Sequence, residues 1–585
     1  MPLPYLPIGL SEFADIRQHR YVYVDKTESI HPLVTVPKRS YFFSRPRRFG
    51  KSLLISTLQA LFAGRRELFD GLWIAQKGRW DWSQQHPVIR LDMSLASSET
   101  PQTLKEGLAS LMRGIIRKNR LSVDLQQHPA ILLRESIEEL AQQNSVVVLV
   151  DEYDKPLVNH LGGETKQQRA QQLDIANANR QVLRDFYTVL KGQSSDLRLV
   201  FVTGVSKFAK VSIFSGLNNL TDLTLDRQCA CLAGYTQQEL ETNFAPHLQH
   251  LANERQQSLP QLLDEMKNWY NGFQFSSANL QVYNPFSTLL LLEQQEFRSH
   301  WFQTATPTFF THLIKRSEDL QPNELTGAAV SESTFDSYEI MQLHENILPL
   351  MVQTGYLTLR GYDAATCTYT LDYPNKEVRN AFTESLLQSY THLAKGKAVS
   401  DVMKLRNALQ QADLPSYFVT LRRILAGISY ELHISLERYY QTVFYLIHQL
   451  LGYQVYTEVH TNTGRIDAVI DLDNHTYIFE FKLELGNPTP KHQLAKDSDT
   501  LAQFKSPVHQ DQLAAQLADS HNQLAQAALQ QINERRYHTK YLGRGKPITL
   551  IGAVFTVNTP QGKPVRQVTA WVREDIDETN SNMAE

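Results

Sequence analysis

The sequence predicts an α/β protein. A parallel sheet carries a phosphate-binding loop, a mainly helical lid and connector follow, and a second, smaller α-β-β-β-α-β domain closes the chain. Three observations predict this. First, the aromatic run Tyr41–Ser44 leads into a loop ending in Gly50-Lys51-Ser52 and then into LLISTLQALF, whose apolar spacing is helical. Second, Val146–Val150 is a continuous apolar run ending in Asp151-Glu152-Tyr153-Asp154, which fits a strand buried on both faces of a parallel sheet. Third, residues 432–557 read as helix, three strands, helix and strand. A chain of 585 residues is too long for one core, and at roughly 100–200 residues per domain three or four domains are expected.

Strand, loop ending in Gly-Lys-Ser, and helix is the order of a P-loop. Its chemistry needs these parts together. Backbone N–H groups of Arg48, Phe49 and Gly50 at the helix start face phosphates, Lys51 reaches the β/γ-oxygens, and the Ser52 hydroxyl coordinates magnesium. ATP is the expected nucleotide. In the usual pattern G-x-x-x-x-G-K-[ST], Arg45 stands where the first glycine would be. From Val36 to Lys51 there are six basic residues (Lys38, Arg39, Arg45, Arg47, Arg48, Lys51) and no acid. They are read as a phosphate-friendly mouth, with a contact to nucleic acid or a neighbouring protomer as the alternative.

A carboxylate at the tip of a buried strand is costly unless it meets a cation or donors. Asp151 is therefore expected to hold magnesium, and Glu152 to orient or deprotonate the attacking water. A third apolar strand, Leu197–Val202, ends in Thr203-Gly204-Val205-Ser206-Lys207, and Thr203 is the candidate sensor of the γ-phosphate. Lys207 and Lys210 lie beyond it, either stabilising transition-state charge or standing as solvated lysines.

Residues from about 230 to 430 read as mixed but mainly helical. Thr236-Gln237-Gln238-Glu239 is a capping-box pattern opening a helix if Thr236 is the N-cap. Trp269, Tyr270, Phe273 and Phe275 are read as core packing, because no basic residues interleave with them as a base-stacking platform requires.

At the C-terminal end, Leu432–Leu451 has helical spacing and Gly452 is a stop. Strands are expected at Tyr453–Val459, Arg465–Asp471 and Thr476–Leu483, a helix at Leu524–Tyr541 and a strand at Ile548–Val557. Alternation places Glu480 and Lys482 on one face of their strand. Asp467 precedes Glu480 by 13 residues on the adjacent strand, so the two carboxylates can share a divalent metal, magnesium or manganese, while Lys482 positions or activates water. The group Arg535, Arg536, Lys540, Arg544 and Lys546 is the best phosphate-backbone candidate, against the alternative of a helix C-terminus rich in bases for dipole reasons.

Tyr23-Val24-Asp25-Lys26-Thr27, RPRRFGKS, VLVDEYDKPL and TGVSKFAKVSIFSGLNNL resemble the AAA-ATPase-like family of bacterial proteins, which usually carries a C-terminal PD-(D/E)XK nuclease domain. The resemblance continues through Trp269–Phe273, Tyr283–Phe286, Thr304–Pro307 (where Ala305 replaces a glycine) and Gln353–Leu357, so it covers nearly the whole chain. In that family the first P-loop glycine is commonly replaced. The resemblance implies an AAA-like ATPase core and a restriction-endonuclease-like fold for the last domain, of which Asp-x12-Glu-x-Lys is the core. It also implies, from Glu437-Arg438-Tyr439-Tyr440 and Ala528-Leu529-Gln530-Gln531-Ile532, that Glu437 is a further acid near the metal and Gln531 a polar site residue. One departure is large: about forty residues, 485–526, separate the E-F-K strand from that helix, and they are read as a partly disordered insertion with a short helix at Gln510–Leu517.

The expected organisation is then an ATPase core over 1–228, a lid over 229–330, a connector over 331–430, a nuclease-like domain over 431–575 and a flexible acidic tail over 576–585. Charge narrows the partners. The net charge is −3, and residues 431–575 hold 14 Lys+Arg against 15 Asp+Glu, so contact with nucleic acid, DNA being expected, must come from local patches. The cysteines Cys229, Cys231 and Cys367 make no disulfide framework, and a lone C-x-C does not match zinc-ligand spacing. The N-terminus lacks the features of a signal peptide and no apolar run approaches the ~18 residues of a membrane span, so a cytoplasmic protein, with a homo-oligomer allowed, is expected. The expected function is an ATPase joined to a magnesium-dependent nuclease. The alternative is a regulatory or scaffold ATPase whose last domain binds nucleic acid or protein without cutting.

Overall fold

The computed structural model describes residues 3–162, 165–207, 210–214, 217, 219–301, 308–316, 320–335, 347–391, 395–426, 436–461, 464–485, 507–558 and 565–576. They form two compact units, one of Met1–Phe310 and Leu325–Ala381, the other of Thr311–Glu324 and Phe382–Glu585.

The first unit is built on strands β1 (Arg39–Ser44), β2 (Val88–Asp92), β3 (Val146–Asp151), β4 (Leu197–Gly204) and β5 (Leu220–Asp222). They pair in the order β2-β3-β4-β1-β5, every pair parallel. Because all strands run one way, the loops after β1, β3 and β4 leave the same sheet edge, where ligands of open α/β sheets bind. All six residues of β3 are buried, which is what its unbroken apolar run requires. Helix α1 (Lys51–Phe62) follows β1 and packs against β3. Helices α2 (Pro101–Asn119), α3 (Pro129–Ala141) and α4 (Lys166–Gly192) fill the connections to β3 and β4, and pack on one another.

Beyond the sheet, Thr236 caps helix α5 (Gln237–Asn243) through the expected reciprocal bonds with Glu239 (3.2 and 2.8 Å). Helix α6 (Pro285–Gln294) follows, with Asn284 as its cap. Alongside these helices lies a small antiparallel sheet of Ala329–Ser331, Thr368–Asp372 and Thr358–Asp363, after which helix α7 (Lys376–Thr391) begins. Of the four aromatics expected in the core, Tyr270, Phe273 and Phe275 are buried, whereas Trp269 is half-buried with Lys376 Nζ 4.7 Å from its ring centre. Residues 304–307 lie outside the described residues.

In the second unit, helix α8 (Leu436–Leu450) precedes strands β6 (Gln454–Thr461), β7 (Gly464–Asp471) and β8 (Thr476–Leu485). Helix α9 (Pro507–Glu534) then leads to β9 (Ile548–Asn558) and β10 (Val565–Ile576). The sheet order is β6-β7-β8-β9-β10, antiparallel except for β8–β9. A parallel pair needs a crossover, and α9 supplies it.

Two boundaries differ from the sequence reading. The helix expected at Leu524–Tyr541 starts at Pro507 and ends at Glu534, so residues 507–526 of the expected insertion are helical; Ala, Gln and Leu, all strong helix formers, dominate them, and proline is tolerated in the first turn. Arg536, at φ +51°, breaks the helix before a 3-10 turn at Tyr537–Tyr541. The second difference is β10, a strand the reading lacked. It carries Val568 and Ala570 into the core and runs to Ile576, the first residue of the expected flexible tail. Residues 486–506 and 577–585 lie outside the described residues.

Candidate functional site

Gly50, at φ +89°, ends the loop after β1 and caps α1, and Arg48 two residues earlier is also left-handed at φ +65°. Turns of this kind turn successive N–H groups toward one point, a concavity suited to anions at a helix N-terminus. Lys51 is buried, and its Nζ donates to the carbonyls of Arg45 and Pro46, both at 2.9 Å. Burial pulls its ammonium below the usual range, while the carboxylates of Asp151, Glu152 and Asp154 oppose that shift. The loop opens on a cavity of about 490 Å³ lined by Arg47 to Ser52 and Glu152. Phe49 turns its ring into the core, 4.8 Å from Phe273 and 5.5 Å from Phe275.

Arg45 is not part of a basic mouth, which corrects that reading. It is 1% exposed, and its guanidinium donates to the carbonyls of Ser44 (2.9 Å), Thr224 (2.8 Å) and Cys229 (3.0 Å). It lies between the rings of Phe43 and Phe275, at 4.4 and 4.2 Å. Burial lowers its pKa to about 9, so it stays charged at neutral pH.

Asp151 ends β3 almost fully buried. Its Oδ1 accepts from Thr203 Oγ1 at 2.7 Å and from the N–H of Glu152 at 3.1 Å. The strand order explains the first bond, since β4 lies between β3 and the phosphate-loop strand. Glu152, at φ +53°, lines the cavity, 3.9 Å from Lys155 Nζ. Asp154 is buried and accepts from the N–H groups of Val205 (3.1 Å) and Ser206 (2.9 Å) and from Ser206 Oγ (3.0 Å), which ties the end of β3 to the end of β4. Burial raises its pKa against these donors. Lys207 and Lys210 are neither solvated nor aimed at phosphate: both pair with Asp222, at 3.0 and 2.7 Å. Burial opposes ionisation of Asp222, yet the two ammonium groups hold its carboxyl down at about 2.

The cavity also takes in Tyr23, Lys26 and Tyr235, which the motif reading did not assign to it. Lys26 Nζ donates to Cys231 O (2.8 Å) and to Glu239 (2.7 Å). The T-x-x-E pattern marked Glu239 as a cap, but a partner 213 residues away leaves no spacing signal.

In the second unit the β7–β8 ladder pairs Ala468 with Phe479, which sets Asp467 beside Glu480 one step on. Asp467 Oδ2 accepts from the N–H of Phe481 at 2.8 Å. Lys482 Nζ donates to Gln531 Oε1 at 2.6 Å, and Gln531 Nε2 donates to Glu480 Oε1. Glu480, Lys482 and Gln531 are thus one hydrogen-bonded group, and Asp467, bonded to the N–H of Phe481, stands beside Glu480 on the neighbouring strand. Glu480 is 3% exposed and its Oε2 is buried without a hydrogen-bond partner. Burial and the neighbouring Asp467 push its pKa up to about 8. A buried carboxylate oxygen left bare beside a second carboxylate is a donor set that fits a hard divalent cation. Among the described residues no group of three or more His, Cys, Asp or Glu side chains forms a metal cluster, and the Glu437 side chain lies outside the described residues.

Gly552 brings α9 to this group. It pairs with Glu480 across β8–β9, and a Cβ there would stand 2.2 Å from Ala525 O and 2.7 Å from Leu529 N. Of the five bases at 535–546, Arg544 (3.0 Å) and Lys546 are both paired with Asp471.

The comparisons with known proteins agree with this division. A family model described as "Predicted AAA-ATPase" matches residues 7–214, and one described as "PD-(D/E)XK nuclease superfamily" matches residues 435–516. A protein of Azotobacter chroococcum mcd 1, described as "Uncharacterized protein in vnfD 5'region", is 35% identical over 586 residues, covering 98% of this chain and 99% of that protein. Among the described residues no helix is long and apolar enough to cross a membrane.

Proposed function

This chain belongs to the family of predicted AAA-ATPases that carry a C-terminal PD-(D/E)XK nuclease superfamily domain, and from that membership we propose an ATP-hydrolysing protein whose last domain is a metal-dependent nuclease acting on nucleic acid, with DNA the expected substrate. The observation that carries it is the cavity shared by the phosphate loop and Glu152. Backbone N–H groups of residues 48–52 hold the phosphates, and Lys51 exchanges the carbonyls of Arg45 and Pro46 for β/γ-oxygens. Ser52 and Asp151 would hold the magnesium ion that neutralises phosphate charge. Thr203 steadies the Asp151 carboxylate, and Glu152 orients the attacking water and takes its proton.

In the second unit, Asp467 and Glu480 would hold a magnesium or manganese ion, with Glu437 as the further acid, and that ion supplies Lewis acidity toward a phosphodiester. Gln531 fixes Glu480 and Lys482 relative to each other, and Lys482 positions the water that attacks. One observation favours the alternative of a regulatory ATPase whose last domain binds without cutting: two of its five clustered bases are already paired with Asp471.

Incubating the full-length protein with plasmid, single-stranded DNA and RNA, with magnesium or manganese and with or without ATP, tests both. Cleavage lost in Asp467→Ala, Glu480→Ala and Lys482→Ala supports the nuclease; cleavage that survives all three refutes this site. Phosphate release from ATP should fall about 100-fold or more in Lys51→Ala.

A further inference from the structure

We propose that Trp301, seated by Glu377 and aided by Gly355, holds the phosphate loop in its anion-binding form, so that ATP affinity depends on these three residues. This rests on the reading of residues 45–52 as the nucleotide site.

Three successive loop carbonyls are tied down. Lys51 takes those of Arg45 and Pro46, and the indole N–H of Trp301 takes that of Arg47 at 3.0 Å. A carbonyl and the N–H of the same peptide unit point in opposite directions, so holding the carbonyls of Pro46 and Arg47 fixes where the N–H groups of Arg47 and Arg48 point. Arg48 needs such holding, since φ +65° is costly for a residue with a side chain.

The strut is itself anchored. Trp301 is 1% exposed, and its backbone N–H donates to Glu377 Oε1 at 2.7 Å. Glu377 Oε2 accepts from Ser287 Oγ at 2.8 Å, and Ser287 lies in the first turn of α6, its N–H on the Asn284 cap at 3.0 Å. Pro46 lies directly on Gly355, where a Cβ would stand 2.9 Å from the proline ring. The Arg48 guanidinium lies over Phe286, 5.0 Å from the ring centre.

Lys51 and Trp301 differ in one respect. When Lys51 turns to phosphate it leaves its two carbonyls, whereas Trp301 keeps its own. Trp301 is a positioning residue: it acts through the loop.

Trp301→Phe keeps an aromatic ring against Phe273 and Tyr356 and removes the N–H. In the full-length variant, ATP binding by equilibrium dialysis should weaken about tenfold. KM for ATP should rise more than kcat falls, and amide exchange over residues 47–52, measured without nucleotide, should speed up. Gly355→Ala, whose Cβ would crowd both Pro46 (2.9 Å) and the Trp301 ring (3.3 Å), should act in the same direction and serves if the first variant does not fold. Wild-type affinity, or unchanged exchange over 47–52 in a folded variant, overturns the proposal. A wild-type protein that binds no ATP, or binds it equally after Lys51→Ala, overturns the nucleotide reading and the affinity half of this proposal, and the exchange measurement still decides the loop half.

Discussion

Replacing Arg45 by glycine would restore the usual phosphate-loop pattern, yet in this fold it removes a core strut. The guanidinium satisfies three buried carbonyls, and Arg45→Gly leaves them bare. Arg45→Gly should therefore destabilise the protein by about 2–4 kcal/mol, read as a lower denaturant midpoint. A midpoint at the wild-type value would refute the strut. Glu377 makes a second prediction at this scale. Burial, against donors from Trp301 and Ser287, pushes its pKa up to about 8 from a usual carboxylate value. The folded state thus binds a proton that the unfolded chain releases at lower pH. The contribution to stability is fully present below the usual carboxylate pKa and is lost as pH rises to about 8, on the order of 4 kcal/mol in all. Glu377→Gln should flatten the unfolding free energy over that window, and an unchanged slope would sink the assignment. Neither residue was legible as a buried group. The partners of Arg45 lie up to 184 residues away, and Glu377 shows in sequence only as one acid at a helix start. Lys51 and Asp151 stand out in the sequence because each sits at a loop or strand end, and Asp467 and Glu480 because alternation and spacing on adjacent strands set them side by side.

Strands read well where one period ran unbroken. The apolar run of β3 and the alternation of β8 each carry one signal, and both strands lie where expected. The reading failed where charge masked the pattern. In β10, Arg566, Arg573, Glu574 and Asp575 flank Val568, Ala570 and Val572, so a strand with one apolar face did not stand out. The start of α9 was hidden by Pro507 and by a polar composition that suits both helix and loop. The small sheet at 329–372 rests on strands as short as three residues, too brief for periodicity. Packing of α9 on β9 makes a prediction of its own. Gly552→Ala forces the helix backbone outward at Ala525, which should cost about 1–3 kcal/mol and pull Gln531 from Glu480. Unfolding midpoints and nuclease assays should fall together; a variant normal in both would show that the close approach is not needed.

At the scale of the molecule, the −3 net charge hides local bookkeeping. Asp471 is ion-paired with both Arg544 and Lys546, so Asp471→Asn should release both cations. Binding of DNA should tighten, and the slope of log affinity against log salt should steepen by about 1–2, measured by titration at several salt concentrations. An unchanged slope would place this group away from any phosphate. The two units also follow an order that a linear domain map hides. Thr311–Glu324 belongs with Phe382–Glu585, and Gln321 Oε1 accepts from Thr442 Oγ1 of α8 at 2.9 Å. The nuclease-like half is therefore not a cassette. A gene fusion that joins a new partner at residue 382 or 431 delivers it without the strap on which α8 depends, and a working fragment has to be assembled from two stretches of chain. Cutting the chain at a single junction therefore separates Gln321 from Thr442.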